Sequence, residues 1–319
     1  MIRRVFCILS SNALPYARHA VLTLFHNCLE EVDLTLITDD AEDKATIDAA
    51  LAAEASLAGK KWRVADKDEC DKRAQTVFAK HQNIAAFRDG HPCWRKVTDP
   101  LLFIERDEEA ITLDPDLYFP NKFTFEETPA TGVQIFYQGP NCLYPPAAVE
   151  KAFNIPVKLA DHVDIGAAQV RLSAFDLDWF DWFCGALDWE EFTPFMHIEA
   201  IAWSALAMQL GGGYLDREAW HCWQRGHLKR VAIAAGFPGD KLLRMEPLDK
   251  IKCIHVSGPS KWWVVDAIKS GALKSGGAVF DQPTPIKPFI EYEYETFQRQ
   301  QRTKDLARKL GYYKLTKSE

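Results

Sequence analysis

Two apolar runs of strand length, each followed by a helix-patterned segment, open the chain and leave few architectures available to it. Val5 to Leu9 is continuously apolar, Ser10-Ser11-Asn12 interrupts it, and Tyr16 to Leu29 then places Ala20, Leu24 and Cys28 at helical spacing. The pattern repeats: Val32 to Thr38 reads as a strand ending in Asp39-Asp40, and alanine-rich Ala41 to Leu57 reads as a helix. Such alternation predicts an α/β fold with a mainly parallel sheet flanked by helices, with ligands bound beyond the carboxyl ends of the strands. That rule points to Ser10-Ser11-Asn12 and Thr38-Asp39-Asp40. Further on, Gly132 to Tyr137, Val163 to Leu172 and Lys252 to Val256 read as strands. Ala174 to Leu187, Ile198 to Leu210 and a final segment after Pro288 read as helices.

Bulk properties narrow the class. At 319 residues and 47% apolar composition the chain can bury a substantial core. Its 38 Lys and Arg against 45 Asp and Glu lack the basic excess of a nucleic-acid binder, so no such partner is expected. The eight cysteines have no C-x-x-C pair, which predicts reduced thiols. The apolar run at the start is too short for a signal core, and no stretch approaches the roughly 20 apolar residues of a membrane span. A soluble, cytoplasmic protein is expected.

The segment with the most chemistry is Ala110 to Pro120, AITLDPDLYFP, where an apolar strand runs into Asp114-Pro115-Asp116. Carboxylates at i and i+2 beyond a strand end can converge on a hard divalent cation, and the proline stiffens the turn between them. An acidic turn capping a strand is the plainer alternative. A second segment follows the strand Lys252 to Ile254: His255-Val-Ser-Gly258-Pro-Ser-Lys261-Trp262-Trp263. Imidazole suits as third ligand to a Mn²⁺-like ion, glycine allows close backbone approach to a phosphate, and lysine supplies positive charge.

With these two segments the chain resembles the glycogenin-like, family-eight glycosyltransferases, which include lipopolysaccharide galactosyltransferases. Their D-x-D and H-x-x-G-x-x-K-P-W motifs match at Asp114, Asp116, His255, Gly258, Lys261 and Trp263, with Trp262 in place of the proline. The resemblance implies a GT-A type nucleotide-diphospho-sugar transferase fold and a nucleotide-sugar donor, UDP by preference. It also implies Mn²⁺ or Mg²⁺ held by Asp114, Asp116 and His255, and transfer with retention. Donor contacts would come from Ser10, Asn12, Lys96, Asp114, Gly258 and Lys261, with Lys96 favoured over Arg95. His162-Val-Asp164-Ile-Gly166 is similar to the family's Phe-Asn-x-Gly strand, with Asp164 where asparagine contacts the donor sugar. Met196-His197-Ile198-Glu199 stands where the family has Asp-Gln-Asp, so Asp164, His197 and Glu199 are the catalytic candidates. Capping of the helix Ile198 to Leu210 is the structural alternative for His197 and Glu199.

On this reading residues 1–283 form the transferase domain, divided into a nucleotide-binding half (1–128) and a sugar and acceptor half (129–283). Residues 284–319 form a helical tail whose basic residues Arg299 to Lys317 suit peripheral contact with an anionic membrane face, although a solvated terminal helix is the commoner outcome. The acceptor (glycan, lipid, protein or small molecule) is left open. Two rivals stand beside this reading: a nucleotidyltransferase, disfavoured because no glycine-rich basic loop follows the first strand, and a catalytically silent nucleotide-sugar-binding relative. The aromatic stretch Phe175 to Phe195 reads as a helix packing Trp179, Trp182 and Phe183 into the core. His221-Cys222 lacks partners at metal-site spacing and receives no ligand role.

Overall fold

The computed structural model describes residues 2–316 apart from 140, 225, 274 and 275, so Pro140 in the proline-rich loop and Lys317 in the basic tail lie outside the described residues. The strands in chain order are β1 (Ile2–Ile8), β2 (Glu31–Ile37), β3 (Lys61–Ala65), β4 (Glu109–Leu113), β5 (Leu117–Tyr118), β6 (Lys122–Phe123) and β7 (Val133–Tyr137). They continue with β8 (Val163–Arg171), β9 (Gly212–Tyr214), β10 (Trp220–Cys222), β11 (Cys253–His255), β12 (Val279–Phe280) and β13 (Lys287–Pro288). The main sheet is eight-stranded, in the order β13-β9-β7-β8-β4-β1-β2-β3. Pairings β1 with β2 and β4, β2 with β3 and β7 with β9 are parallel. Strand β8 runs antiparallel between β4 and β7, and β13 runs antiparallel to β9. The carboxyl-terminal halves of the parallel strands, Val5 to Cys7, Leu34 to Ile37 and Val64 to Ala65, are buried, as expected of a sheet covered on both faces.

A three-stranded sheet, β10-β11-β5, positions the site. Strand β11 pairs antiparallel with β5, placing His255 opposite Leu117, and Val256 N donates to Asp116 O at 3.1 Å. The D-x-D turn and the His255 segment, far apart in sequence, are thereby hydrogen-bonded neighbours. An aromatic floor supports them: Phe119 stacks on Phe123 at 4.8 Å, Phe125 on Trp220 at 6.0 Å, and Phe136 lies 6.0 Å from the His255 ring. Each such fully buried ring contributes on the order of 2 kcal/mol through water exclusion. Just before β11, Lys252 is wholly buried with its Nζ 2.7 Å from Glu126 Oε1 and 3.1 Å from Thr124 O, which ties the strand to the core.

Four local expectations change in the folded chain. The helix expected over Ala41 to Leu57 ends at Ala52, and Ala55–Leu57 forms a separate 3₁₀ turn ending before Gly59, whose φ is +73°. The helix expected from Ala174 starts at Leu177, because the Asp176 carboxylate accepts from Trp179 N at 3.0 Å and caps it there. Trp179 stacks on Phe183 against the core, but Trp182 points outward and is 42% exposed. The segment after 283 starts within the sheet as β13, and Glu291 bridges Ala160 before the helix Tyr294–Lys309 begins. No helix among the described residues is long and apolar enough to cross a membrane.

Candidate functional site

Asp114 follows β4 directly, and its backbone N–H donates to Gly166 O at 2.8 Å, which continues the β4–β8 pairing past the strand end. Asp116 lies two residues on, at the start of β5, and His255 ends β11. The ligand atoms offered by Asp114, Asp116 and His255 all lie within 4.8 Å of one another. His255 Nε2 is 3.1 Å from Asp116 Oδ1 and 3.6 Å from Asp114 Oδ2. Two ligands at right angles about a Mg²⁺-sized ion stand about 3 Å apart. Asp116 Oδ1 and His255 Nε2 are both buried and face each other as an ion pair at 3.1 Å, with no hydrogen bond of good geometry to either. Buried donor atoms left in this way are costly unless a further group satisfies them, and a divalent cation fits that requirement. The three residues therefore form a cluster able to hold a metal ion.

The other face of His255 is occupied. Its Nδ1 lies 2.7 Å from Asp164 Oδ1, and the same oxygen accepts from Gly166 N at 2.8 Å. Cys222 Sγ approaches Asp164 Oδ2 at 3.6 Å, so Asp164, Cys222 and His255 form a second close group. The sequence reading gave Cys222 no role, since its neighbours arrive only through the pairing of β10 with β11 in register Cys222 to His255. A cation on this side would have to displace the short Asp164–His255 contact, so the Nε2 side is the better metal site.

Lys96 projects from the short helix Arg95–Thr98 and bridges the cluster: its Nζ is 2.7 Å from Asp114 Oδ1 and 2.8 Å from Glu199 Oε1. Arg95 points elsewhere, its guanidinium pairing with Asp39 and donating to Thr38 O at 3.3 Å beyond the end of β2. Glu199 opens the helix Ile198–Leu210 and is fully buried; burial, aided by Asp114 and opposed by Lys96, pushes its carboxyl up to about 8. Burial likewise raises Asp114 despite Lys96. Burial works against a charged His255, yet Asp164 and Asp116 outweigh it and hold the imidazole well above its ordinary range. Asp164 is lowered because His255 and the Gly166 N–H overcome the cost of burying it. Four carboxyl groups thus share one lysine and one histidine, a balance that a bound cation would complete.

The remaining sequence candidates lie around this centre. His197 is the residue before the helix and makes no side-chain cap hydrogen bond; its ring stacks with Phe195, its Nδ1 is buried without a partner, and burial together with Lys96 lowers it to about 4. Gly258 has φ of +64°, the left-handed region that favours glycine, and starts the 3₁₀ turn Gly258–Trp262. Lys261 on that turn rests its Nζ 5.1 Å over the Tyr16 ring, while Trp262 meets the same ring edge-on at 5.1 Å. Tyr16 carried no sequence signal beyond its helical spacing. Ser10 and Asn12 lie at the turn beyond β1, half-buried and exposed, at the same edge of the sheet as Asp114. On the Cys222 side, a cavity of about 720 Å³ opens between Tyr137, Arg217, His221, Lys229 and Glu246. A neighbouring one of about 480 Å³ reaches Ser257, Gly258 and Tyr312.

No family model and no curated protein sequence matches the chain. Solved structures do. Mouse xyloside xylosyltransferase 1, in its apo form, superposes with a TM-score of 0.51 at 13% identity, covering 80% of this chain and 97% of the other. The galactosyltransferase LgtC, in complex with donor and acceptor sugar analogues, gives 0.48 at 13% identity over 84% and 95%. The glycosyltransferase GlyE of Streptococcus pneumoniae gives 0.44 at 12% identity over 86% and 64%. A likeness at such low identity speaks to architecture alone: this chain has a GT-A type fold like that of the xylosyltransferase structure.

Proposed function

We propose that the chain is a metal-dependent glycosyltransferase that moves a sugar from a nucleotide-diphosphate sugar, with UDP as the preferred nucleotide, to an acceptor with retention of configuration. The observation that carries this reading is the convergence of Asp114, Asp116 and His255 at the carboxyl edge of a GT-A sheet, two of their ligand atoms being buried without a well-formed hydrogen bond. Mn²⁺ or Mg²⁺ held there would supply Lewis-acid stabilisation of the departing diphosphate.

The chain's own residues account for the rest. Lys261, on the turn that follows His255, offers a fixed cation to the same leaving group, and the left-handed Gly258 lets the backbone approach it. Lys96 neutralises Asp114 and holds Glu199, so it sets the local charge as well as offering a donor contact. Glu199, paired with Lys96, and His197 beside it suit the orientation of sugar hydroxyls. Ser10 and Asn12 suit the base and ribose. The cavity lined by Cys222 suits the acceptor, since Cys222 pairs in register with His255. The tail helix Tyr294–Lys309 bears exposed Leu306 among basic residues, which suits peripheral contact with an anionic surface.

The test is calorimetric titration of the purified protein with UDP and with GDP, each with and without Mn²⁺. UDP binding that requires Mn²⁺ and vanishes in His255→Ala supports the proposal. Absence of metal-dependent binding by either nucleotide removes it. Tight binding of UDP-sugars without transfer or hydrolysis would identify a silent relative instead.

A further inference from the structure

Asp164 stands where the resemblance led to a sugar contact, yet its surroundings give it another task. It is 2% exposed and lies on β8. Oδ1 is shared between His255 Nδ1 at 2.7 Å and Gly166 N at 2.8 Å; Oδ2 is 3.6 Å from Cys222 Sγ. The carboxylate is therefore locked by the backbone two residues ahead and aimed at the imidazole. Space is limited there: a Cβ on Gly166 would stand 2.5 Å from His255 Nδ1 and 2.8 Å from Asp164 Oδ1. Only glycine lets the ring lie against the strand. With Nδ1–H donated to a carboxylate, the ring can give up only its Nε2 proton to a cation, and Nε2 is the atom that faces Asp114 and Asp116.

We infer that Asp164 is a positioning residue that fixes the tautomer and orientation of His255 so that Nε2 is delivered to the metal cluster. The inference rests on the metal reading above. A carboxylate behind a ligating histidine raises ligand basicity and holds the ring, and its loss commonly costs 10- to 100-fold in metal affinity. An asparagine at this position accepts the same hydrogen bonds without the charge. The carboxylate in place of the family's asparagine thus serves the metal centre.

The experiment is Mn²⁺ titration of the full chain followed by electron paramagnetic resonance, without nucleotide, for the wild type, Asp164→Asn and Asp164→Ala. The Asn variant keeps the shape and the Gly166 hydrogen bond, and its Mn²⁺ affinity is expected to fall about tenfold; the Ala variant should fall further. Variants that fold, by circular dichroism, and bind Mn²⁺ as the wild type does overturn the inference. If such variants instead lose only the advantage of a UDP-sugar over UDP, Asp164 is a sugar contact. Nitrogen-15 histidine spectra of the wild type with Mg²⁺ provide a check that needs no variant: Nδ1-protonated His255 is expected, and an Nε2-protonated ring is incompatible with the assigned role. A wild type that binds no Mn²⁺, with or without UDP, removes the metal reading and this inference together. Binding by wild type and variants alike removes only the latter.

Discussion

Lys96 and Glu199 are buried against each other, Nζ 2.8 Å from Oε1, and the same ammonium is 2.7 Å from Asp114. One cation thereby holds two carboxyl groups from different elements in a volume that excludes water. Its removal leaves Asp114 without its counter-charge and Glu199 without its buried polar partner. Lys96→Met is expected to destabilise the chain by about 3 kcal/mol at neutral pH, and adding Glu199→Gln should recover part of the loss. Urea denaturation of the single and double variants reads the difference. A Lys96→Met protein as stable as the wild type would show that the pair carries no structural weight.

The ligand cluster makes a sharper demand on activity than on stability. In Asp116→Ala and His255→Ala the buried atoms Oδ1 and Nε2, which lack a well-formed hydrogen bond, disappear along with the side chains, so part of the packing loss is offset. Metal-dependent turnover of a nucleotide sugar is expected to vanish in both, with far-ultraviolet circular dichroism unchanged. Full activity in either purified variant would exclude Asp114, Asp116 and His255 as the metal site.

His197 gives a pH signature. Burial first, and Lys96 second, lower its folded value to about 4 from an ordinary 6.5. Between these values the unfolded chain takes up a proton that the folded chain refuses, so stability should fall as pH drops from 6.5 towards 4 and level off below that. Above 6.5 the residue makes no pH-dependent contribution. Urea midpoints measured at pH 7 and pH 5 for the wild type and His197→Gln test this: the variant should lose less stability between the two. Equal losses would mean that His197 titrates normally in the folded chain.

The tail offers an independent test. Leu306 and Leu310 lie four residues apart, on the helix Tyr294–Lys309 and just beyond it, 58% and 72% exposed, with Arg302, Arg308 and Lys309 nearby. Flotation with vesicles containing anionic lipid should carry the full chain, and should fail with neutral vesicles, in high salt, or with a chain ending at Pro288. If the full chain stays unbound on anionic vesicles at low salt, the tail has no membrane role.

Legibility in the sequence followed the range of the interactions. Strands β1, β2 and β4, the helix behind β1 and the acidic turn at Asp114-Pro115-Asp116 are local patterns, so periodicity and a proline located them. The H-x-x-G-x-x-K segment was readable because a strand end, a left-handed glycine and a lysine fall within seven residues. By itself the sequence therefore determined the α/β class and the side chains available for chemistry. Helix ends were less legible, since the Asp176 cap competes with the apolar pattern that begins at Ala174. What the side chains do to one another was decided by tertiary structure. Pairing of β5 with β11 brings His255 to Asp116, pairing of β10 with β11 brings Cys222 beside it, and the bend of a short helix sends Lys96 to Asp114 but Arg95 to Asp39. Asp164 could be recognised as a carboxylate in a strand, but its direction towards His255 depends on the absent Cβ of Gly166 and on a register set some 90 residues away. Such relationships are fixed by packing and sheet register across the whole chain, and no local spacing encodes them.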